Sequence, residues 1–137
     1  MSYGTTKIAQ ISGVSIYAVK QARAEQRLPA SLDEHAASRD EVIALALWAE
    51  LGRLVPGFHR VARAAFEAAL VVAASVLNTP SEWFAVVTLN ASDETPTVTF
   101  AHRDGIAVDL VPELRLIQII SLAGVAFRVR DNFVKFN

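Results

Sequence analysis

A glycine at position 13 lies between two short stretches with helical spacing, and this arrangement constrains the fold of the chain most. Ala9 precedes Gly13 by one helical turn, and Val19 follows at a position that can face back onto the first stretch. Two helices that cross steeply through a turn of about three residues need a small residue at the crossing and often a glycine in the turn. The pattern predicts helices over residues 5–12 and 15–26.

Hydroxyl residues stand at the starts of the predicted helices. Thr5 or Thr6 is the predicted N-cap of the first helix and Ser15 that of the second. A polar loop is predicted over residues 29–37. Ser38 followed by Glu41 is a capping-box sequence, in which the hydroxyl and the carboxylate satisfy unpaired backbone amides. It predicts a third helix that ends near residue 54.

The second half of the chain changes from helical to strand patterning. After Pro56-Gly57, residues 58–77 predict an alanine- and valine-rich helix that is apolar on all sides in its later part and so must be buried. Strands are predicted over residues 83–89, 97–101 and 106–110, with a turn at Asp104-Gly105. Pro112 and Gly124 bracket a predicted helix over residues 113–123, although a buried strand would give a similar apolar run. The expected last strands are residues 125–129 and 133–136.

We therefore expect an α+β protein in two parts. Residues 1–55 would form a helical domain, and residues 56–137 would form an α+β oligomerisation domain with a central hydrophobic helix and a small antiparallel sheet with a helix. The chain has 137 residues, which suits one ordinary domain or two very small ones.

Composition excludes several classes of protein. The chain has no cysteine, so it has neither disulfides nor a thiolate metal site. The longest apolar run is too short for a membrane span, which needs about 20 residues, and we expect a cytoplasmic protein. Its three histidines are scattered and predict no metal site, and no spacing suggests a catalytic triad or a phosphate loop. We expect no cofactor and no enzymatic activity.

The second predicted helix carries the residue types of a DNA-reading helix on its outer face. Tyr17, Lys20 and Gln21 share that face with Ala24, opposite Val19 and Ala22. Gln21 can read adenine edges, and Lys20 can contact guanine or phosphate. Ser15 and Tyr17 can reach phosphates, and Lys20, Arg23 and Arg27 form a basic edge. The net charge of the whole chain is −1, so DNA binding would depend on this local surface.

Residues 5–51 resemble the winged helix-turn-helix head of MerR-type regulators and of excisionase-like proteins of phages and mobile elements. The resemblance rests on Lys7-Ile8-Ala9, on Ser12-Gly13-Val14-Ser15, on Val19-Lys20, on Arg27-Leu28-Pro29 and on Ser38-Arg39-Asp40-Glu41-Val42. It implies a winged helix and binding to double-stranded DNA as a dimer. Residues 29–37 carry Asp33 and Glu34 where the family has a basic wing, so Arg39 is the expected replacement for the wing contacts. The later two thirds of the chain do not resemble the coiled-coil and effector-binding parts of the MerR family.

These features together predict a sequence-specific transcriptional regulator, a repressor of phage or prophage type, that binds DNA as a homodimer. The predicted DNA-contacting residues are Ser15, Tyr17, Lys20, Gln21, Arg23, Arg27 and Arg39. One alternative is an excisionase-like factor that bends DNA. The other is a protein-interaction module, such as an antitoxin or an inhibitor of a host protein. A small-molecule effector is neither predicted nor excluded.

Overall fold

The computed structural model describes residues 1–90, 92, 94–105 and 114–136. In the described part of the chain, the regular elements in order are α1 (Thr5–Ser12), α2 (Ile16–Ala24), α3 (Arg39–Leu54), α4 (Ala62–Asn78), β1 (Trp83–Asn90), β2 (Pro96–His102), β3 (Leu114–Ser121) and α5 (Ala123–Phe136). Short 3-10 helices lie at Phe58–Arg60, Pro80–Glu82 and Arg103–Gly105. The fold is α+β, as the sequence predicts.

The turn between α1 and α2 follows the prediction closely. Gly13 adopts a left-handed conformation with φ of 79° and ends α1, and its N–H donates to the Ala9 carbonyl at 2.9 Å. Glycine reaches this region without steric cost, which explains why it stands here. The predicted threonine cap of α1 is wrong, because Gly4 is the N-cap residue. The Thr5 hydroxyl donates to the Glu34 carbonyl at 2.9 Å and so ties α1 to the loop before α3.

Helix α3 is the centre of the molecule. Its predicted capping box is confirmed: the Ser38 N–H donates to the Glu41 carboxylate at 2.9 Å, and the Glu41 N–H donates to the Ser38 hydroxyl at 3.1 Å. The seven consecutive residues 42–48 are all buried. They contact α1 on one side and α4 and α5 on others, so this helix is enclosed by its neighbours rather than amphipathic.

Helix α4 begins later than predicted because the chain makes a separate 3-10 turn first. Phe58, in that turn, is buried and packs edge-on against Trp48 of α3 with ring centroids 6.3 Å apart. The expectation that α4 is buried on all sides is not met within one chain. Val71 remains 85% exposed, while Phe66 and Val76 face the core.

The sheet is antiparallel, with strand order β2-β1-β3. Strands β1 and β2 agree with the prediction, and the predicted turn at Asp104-Gly105 falls in the 3-10 helix Arg103–Gly105. The strand predicted for residues 106–110 lies outside the described residues. Residue 113, where a helix was predicted to start, lies outside them too.

The predicted order of the last two elements is wrong. Residues 114–121 form strand β3 where a helix was expected, and residues 123–136 form helix α5 where two strands were expected. Val125, Val129 and Phe133 recur at helical spacing and are all buried, whereas Arg128 and Lys135 are exposed. Gly124 lies in the first turn of α5 rather than beyond the end of a helix.

The hydrophobic core runs through the whole described chain. Buried side chains from Tyr3 to Phe133 form a single cluster. Helix α5 packs on α1 and α3, and the Asn132 side-chain amide donates to the Ile11 carbonyl at 3.2 Å. A shared core does not decide whether residues 1–55 and 56–137 fold separately, so that division stays a prediction.

Candidate nucleic-acid interface

Helix α2 presents the predicted outer face to solvent. Tyr17 is 81% exposed, and Lys20, Gln21 and Ala24 are exposed beside it. Val19 and Ala22 are buried on the opposite side, where the sequence places them. The amphipathic division of α2 is therefore confirmed. Its outer face combines an aromatic ring, an ammonium group and a carboxamide, which are groups that can contact phosphates and base edges.

The start of α2 is held by Ser15, the predicted N-cap residue. The Ser15 hydroxyl oxygen accepts a hydrogen bond from the Ala18 N–H at 3.2 Å. A hydroxyl that accepts with its oxygen still has its own proton to donate. The same side chain can therefore fix the direction of the helix and donate to an anionic group in front of it.

Arg23 has a structural position that the sequence did not reveal. Its Nη1 lies 3.1 Å from a carboxylate oxygen of Glu34, and its Nη2 donates to the Ala30 carbonyl at 2.9 Å. The Glu34 side chain is only 14% exposed, and Lys20 Nζ approaches its other oxygen at 3.8 Å. Arg23 thus fastens α2 to the loop that precedes α3. It is poorly placed to leave the protein for a phosphate.

Arg27 is also paired within the protein. Its Nε donates to a carboxylate oxygen of Glu25 at 2.8 Å, and its Nη2 lies 2.7 Å from the same oxygen. Gln21 donates to the other Glu25 oxygen at 3.2 Å. The hydrogen bond from Gln21, followed by the hydrogen bond and charge of Arg27, lowers the pKa of Glu25 below its ordinary value. Gln21 is thus positioned by Glu25 on the exposed surface.

The paired carboxylates leave little excess positive charge at α2. Lys20, Arg23 and Arg27 supply three cations, and Glu25 and Glu34 supply two carboxylates, so one net positive charge remains. The acidic residues of the loop were visible in the sequence as a departure from the resembled family. What the sequence could not show is that Glu34 folds back onto α2.

Arg39 lies away from the other predicted contact residues. Its guanidinium carbon is 5.0 Å from the centroid of the Phe133 ring on α5. Together with Arg130, Ala74 and Asn78 it lines a small cleft between the start of α3, the end of α4 and the middle of α5. The structure therefore brings Ser15, Tyr17, Lys20 and Gln21 together and leaves Arg39 outside that group.

The remaining polar groups form no candidate metal site in the described part of the chain. Among those residues, no three histidine, aspartate or glutamate side chains are grouped so that they could hold a metal ion. His102 contacts Glu82 and Asp104, each at 3.5 Å, at the edge of the sheet. No helix in residues 1–90, 92, 94–105 and 114–136 is long and apolar enough to cross a membrane.

Comparison with known proteins leaves this surface as the main guide to function. No protein-family model matches the chain, and a comparison with curated proteins found no significant relative.

Proposed function

We propose that this chain is a sequence-specific DNA-binding regulator whose helix α2 reads the major groove. The observation that carries the proposal is the outer face of α2, where Tyr17, Lys20 and Gln21 project from a capped helix that follows a tight glycine turn. A helix presented in this way by a second, shorter helix is the arrangement of helix-turn-helix proteins. Gln21 would contact adenine, and Lys20, Tyr17 and Ser15 would contact guanine or phosphates.

Part of the proposal is that α1, α2 and α3 form a winged-helix head. The segment between α2 and α3 would be the wing. Its end is held to the N-terminus by paired hydrogen bonds between the backbones of Tyr3 and Ala37, at 2.8 and 3.0 Å. Glu34 makes this wing acidic, so backbone contacts would come from α2 itself.

The proposed active form is a homodimer. A single α2 helix with one net positive charge would neutralise few phosphates and bind DNA weakly. Two copies on a two-fold symmetric site would double those contacts, which is the common solution in helix-turn-helix proteins. A repressor of phage type is the proposed role, and a DNA-bending factor is the alternative within this class.

The experiment is selection of bound fragments from a random duplex library at several salt concentrations. The test variant is Lys20→Ala/Gln21→Ala, because both side chains are exposed and their removal leaves the Arg23–Glu34 contact in place. Arg63→Ala on α4 removes the same charge far from α2 and is the matched control. We expect wild type and control to enrich one symmetric site. The double variant should lose that enrichment, with a shallower salt dependence by about one unit per lost phosphate contact.

Failure to retain any duplex at low salt would contradict the proposal. Retention without a preferred sequence, unchanged in the double variant, would contradict the role of α2.

A protein-interaction module is the second candidate, and exposed apolar residues outside α2 favour it. Val71 on α4 and Val134 on α5 are 85% and 84% exposed, and Phe127 on α5 is 43% exposed. Exposed apolar side chains that gather on one surface mark contact sites for other chains. If the chain is a protein-interaction module, the Lys20→Ala/Gln21→Ala variant would still bind the partner protein, and substitutions at Val71 would abolish that binding.

A further inference from the structure

A cleft of about 670 Å³ lies directly beside the proposed DNA-reading helix. One wall is an exposed part of α2 and its N-cap, with Ser15, Ala18 and Gln21. The other wall is the second half of α3 and the 3-10 turn that follows it, with Trp48 and Phe58. The volume falls within the range of pockets that hold small organic molecules, about 300–1,000 Å³.

The cleft has an aromatic end. Trp48 and Phe58 meet edge to face with centroids 6.3 Å apart, and Val14 and Val55 add apolar surface. Gly52 of α3 lies among them, and a Cβ there would stand 3.4 Å from Phe58 Cδ2. Glycine inside a helix is unfavourable by about 1 kcal/mol relative to alanine. The lack of a side chain at position 52 leaves room for the Phe58 ring.

The ionisable groups that line the cleft can donate hydrogen bonds. Among the described residues that line it, the ionisable ones are Arg27 and His59, and none is a carboxylate. Nε and Nη2 of Arg27 bind Glu25, which leaves Nη1 for a ligand. An imidazole offers at least one N–H donor in any of its forms.

Trp48, which lines the cleft, has a buried donor without a partner in the described part of the chain. Its side chain is only 7% exposed, and its Nε1–H is buried without a hydrogen-bond partner among the described residues. Buried donors in folded proteins almost always have an acceptor. The Trp48 Nε1–H is an exception on the buried side of the cleft wall, and the ligand is assigned from the shape of the cleft and its cationic groups.

We infer that this cleft binds a small carboxylate with an aromatic or similarly flat apolar body. The apolar body would contact Trp48 and Phe58, and the carboxylate would accept hydrogen bonds from Arg27 and His59. Gln21 belongs both to the cleft and to the outer face of α2. Gln21 and Arg27 bind the same Glu25 carboxylate, so a ligand carboxylate at Arg27 would displace Gln21 from its position and lower the affinity for DNA, a consequence that rests on the proposed function.

The probes are 1-naphthylacetate and its neutral counterpart 1-naphthylacetamide, added to the full chain without DNA. Binding is measured by calorimetry and by shifts of backbone amide resonances. We expect a dissociation constant of about 1 mM or tighter for the carboxylate and about tenfold weaker binding of the amide. The shifted resonances should include Gly13, Ala18, Gly52 and His59.

Two variants test the assignment of the residues. Arg27→Gln/His59→Gln should reduce carboxylate binding to the level of the amide, and Gly52→Leu should block both probes by filling the cleft. Arg53→Gln, on the same helix but outside the cleft lining, is the matched control and should bind like wild type. If Gly52→Leu does not fold, the Arg27→Gln/His59→Gln variant alone tests whether these residues bind the carboxylate.

Several results would overturn the inference. These are no binding of either probe, equal binding of both probes, unchanged binding in the double variant, or resonance shifts away from the cleft. In a separate measurement, saturating 1-naphthylacetate should lower affinity for the selected DNA about fivefold or more. A protein that binds the carboxylate but no DNA would support the cleft and contradict the proposed function.

Discussion

At the scale of single residues, Glu34 determines which cations of α2 are available. It accepts from Arg23 at 3.1 Å and lies 3.8 Å from Lys20, so two cations share one largely buried carboxylate. Arg23 makes the closer contact and also binds the Ala30 carbonyl. Lys20 is the more exposed and the more weakly held. The two cations should therefore differ in what they contribute to folding and to binding.

We predict that Arg23→Ala lowers the free energy of unfolding by about 1–3 kcal/mol, because it leaves the Glu34 carboxylate and the Ala30 carbonyl without their main donor. Lys20→Ala should change it by less than about 0.5 kcal/mol, as is usual for exposed ion pairs. Urea unfolding followed by circular dichroism measures both. Equal losses of unfolding free energy in the two variants would contradict the prediction that Glu34 is held more strongly by Arg23 than by Lys20.

Gly13 allows a second prediction at this scale. Replacement by alanine should cost about 1–2 kcal/mol, because φ of 79° is unfavourable for any residue with a side chain. No described atom lies within 4 Å of the position that a Cβ would take, so the cost comes from the backbone alone. Gly13→Asn should cost less, since asparagine tolerates the left-handed region better. Thermal unfolding compares the two, and a Gly13→Ala protein as stable as wild type would contradict the reasoning.

At the scale of secondary-structure elements, features that depend on neighbouring residues could be predicted from the sequence. Features that depend on contacts between distant residues could not. The capping box at Ser38 and Glu41 and the cap at Ser15 involve neighbouring residues, so their patterns predicted where α2 and α3 begin. The threonine cap of α1 failed because Thr5 bonds to Glu34, which lies 29 residues away in the sequence. Burial of α3 on all sides likewise depends on helices α1, α4 and α5.

The exchange of β3 and α5 has a different origin, in local signals that conflict with one another. Residues 114–121 and 123–136 are both rich in apolar residues, and Pro112 and Gly124 bracket the first segment in the pattern that favours a helix. The helical period of Val125, Val129 and Phe133 is the stronger signal, and it favours a helix over residues 123–136. At the candidate site, the exposed face of α2 was predicted correctly. The pairing of Arg23 and Arg27 with carboxylates was not predicted.

The junction between α4 and the sheet yields a prediction about pH. Burial alone would raise the pKa of Glu82, but hydrogen bonds with His102 and Thr79 and the charges of Arg103 and His102 together lower the pKa below its ordinary value. Arg103 Nη2 lies 2.9 Å from the Glu82 carboxylate. A lowered pKa in the folded state means that ionised Glu82 stabilises the fold. This contribution is complete above the unfolded pKa and is lost as pH falls through the folded value.

We therefore expect Glu82→Gln to be less stable than wild type near neutral pH, with the difference shrinking below about pH 4.5. Unfolding in urea at a series of pH values measures it. Glu67→Gln on the exposed side of α4 removes a matched charge and serves as the control. If the difference in the free energy of unfolding between wild type and Glu82→Gln stays constant as the pH is lowered, the result would contradict a role for the ionised carboxylate.

At the scale of the whole molecule, one chain leaves part of α4 uncovered. Val71 lies one turn before Ala74, and Ala74 and Asn78 border a cleft shared with Arg130 of α5. Val134 follows Arg130 by one turn on α5 and is equally exposed. Apolar side chains are thus exposed on two adjacent helices, on a surface distinct from α2. A second copy of the chain is the partner that the proposed symmetric DNA site requires.

We predict that the protein is a dimer at micromolar concentration and that Val71→Asp weakens the dimer about 100-fold or more, because a buried carboxylate at an interface would lack a partner. The free energy of unfolding of the monomer should change little, since Val71 is exposed within one chain. Sedimentation over a range of concentrations measures the dimer.

Tyr17→Asp, an equally exposed substitution on α2, should leave the dimer intact and abolish DNA binding. A wild-type protein that remains monomeric, or a Val71→Asp protein that remains dimeric, would exclude α4 as the interface. If Tyr17→Asp and Val71→Asp both reduced DNA binding but only Val71→Asp dissociated the dimer, assembly and DNA contact would be assigned to separate surfaces.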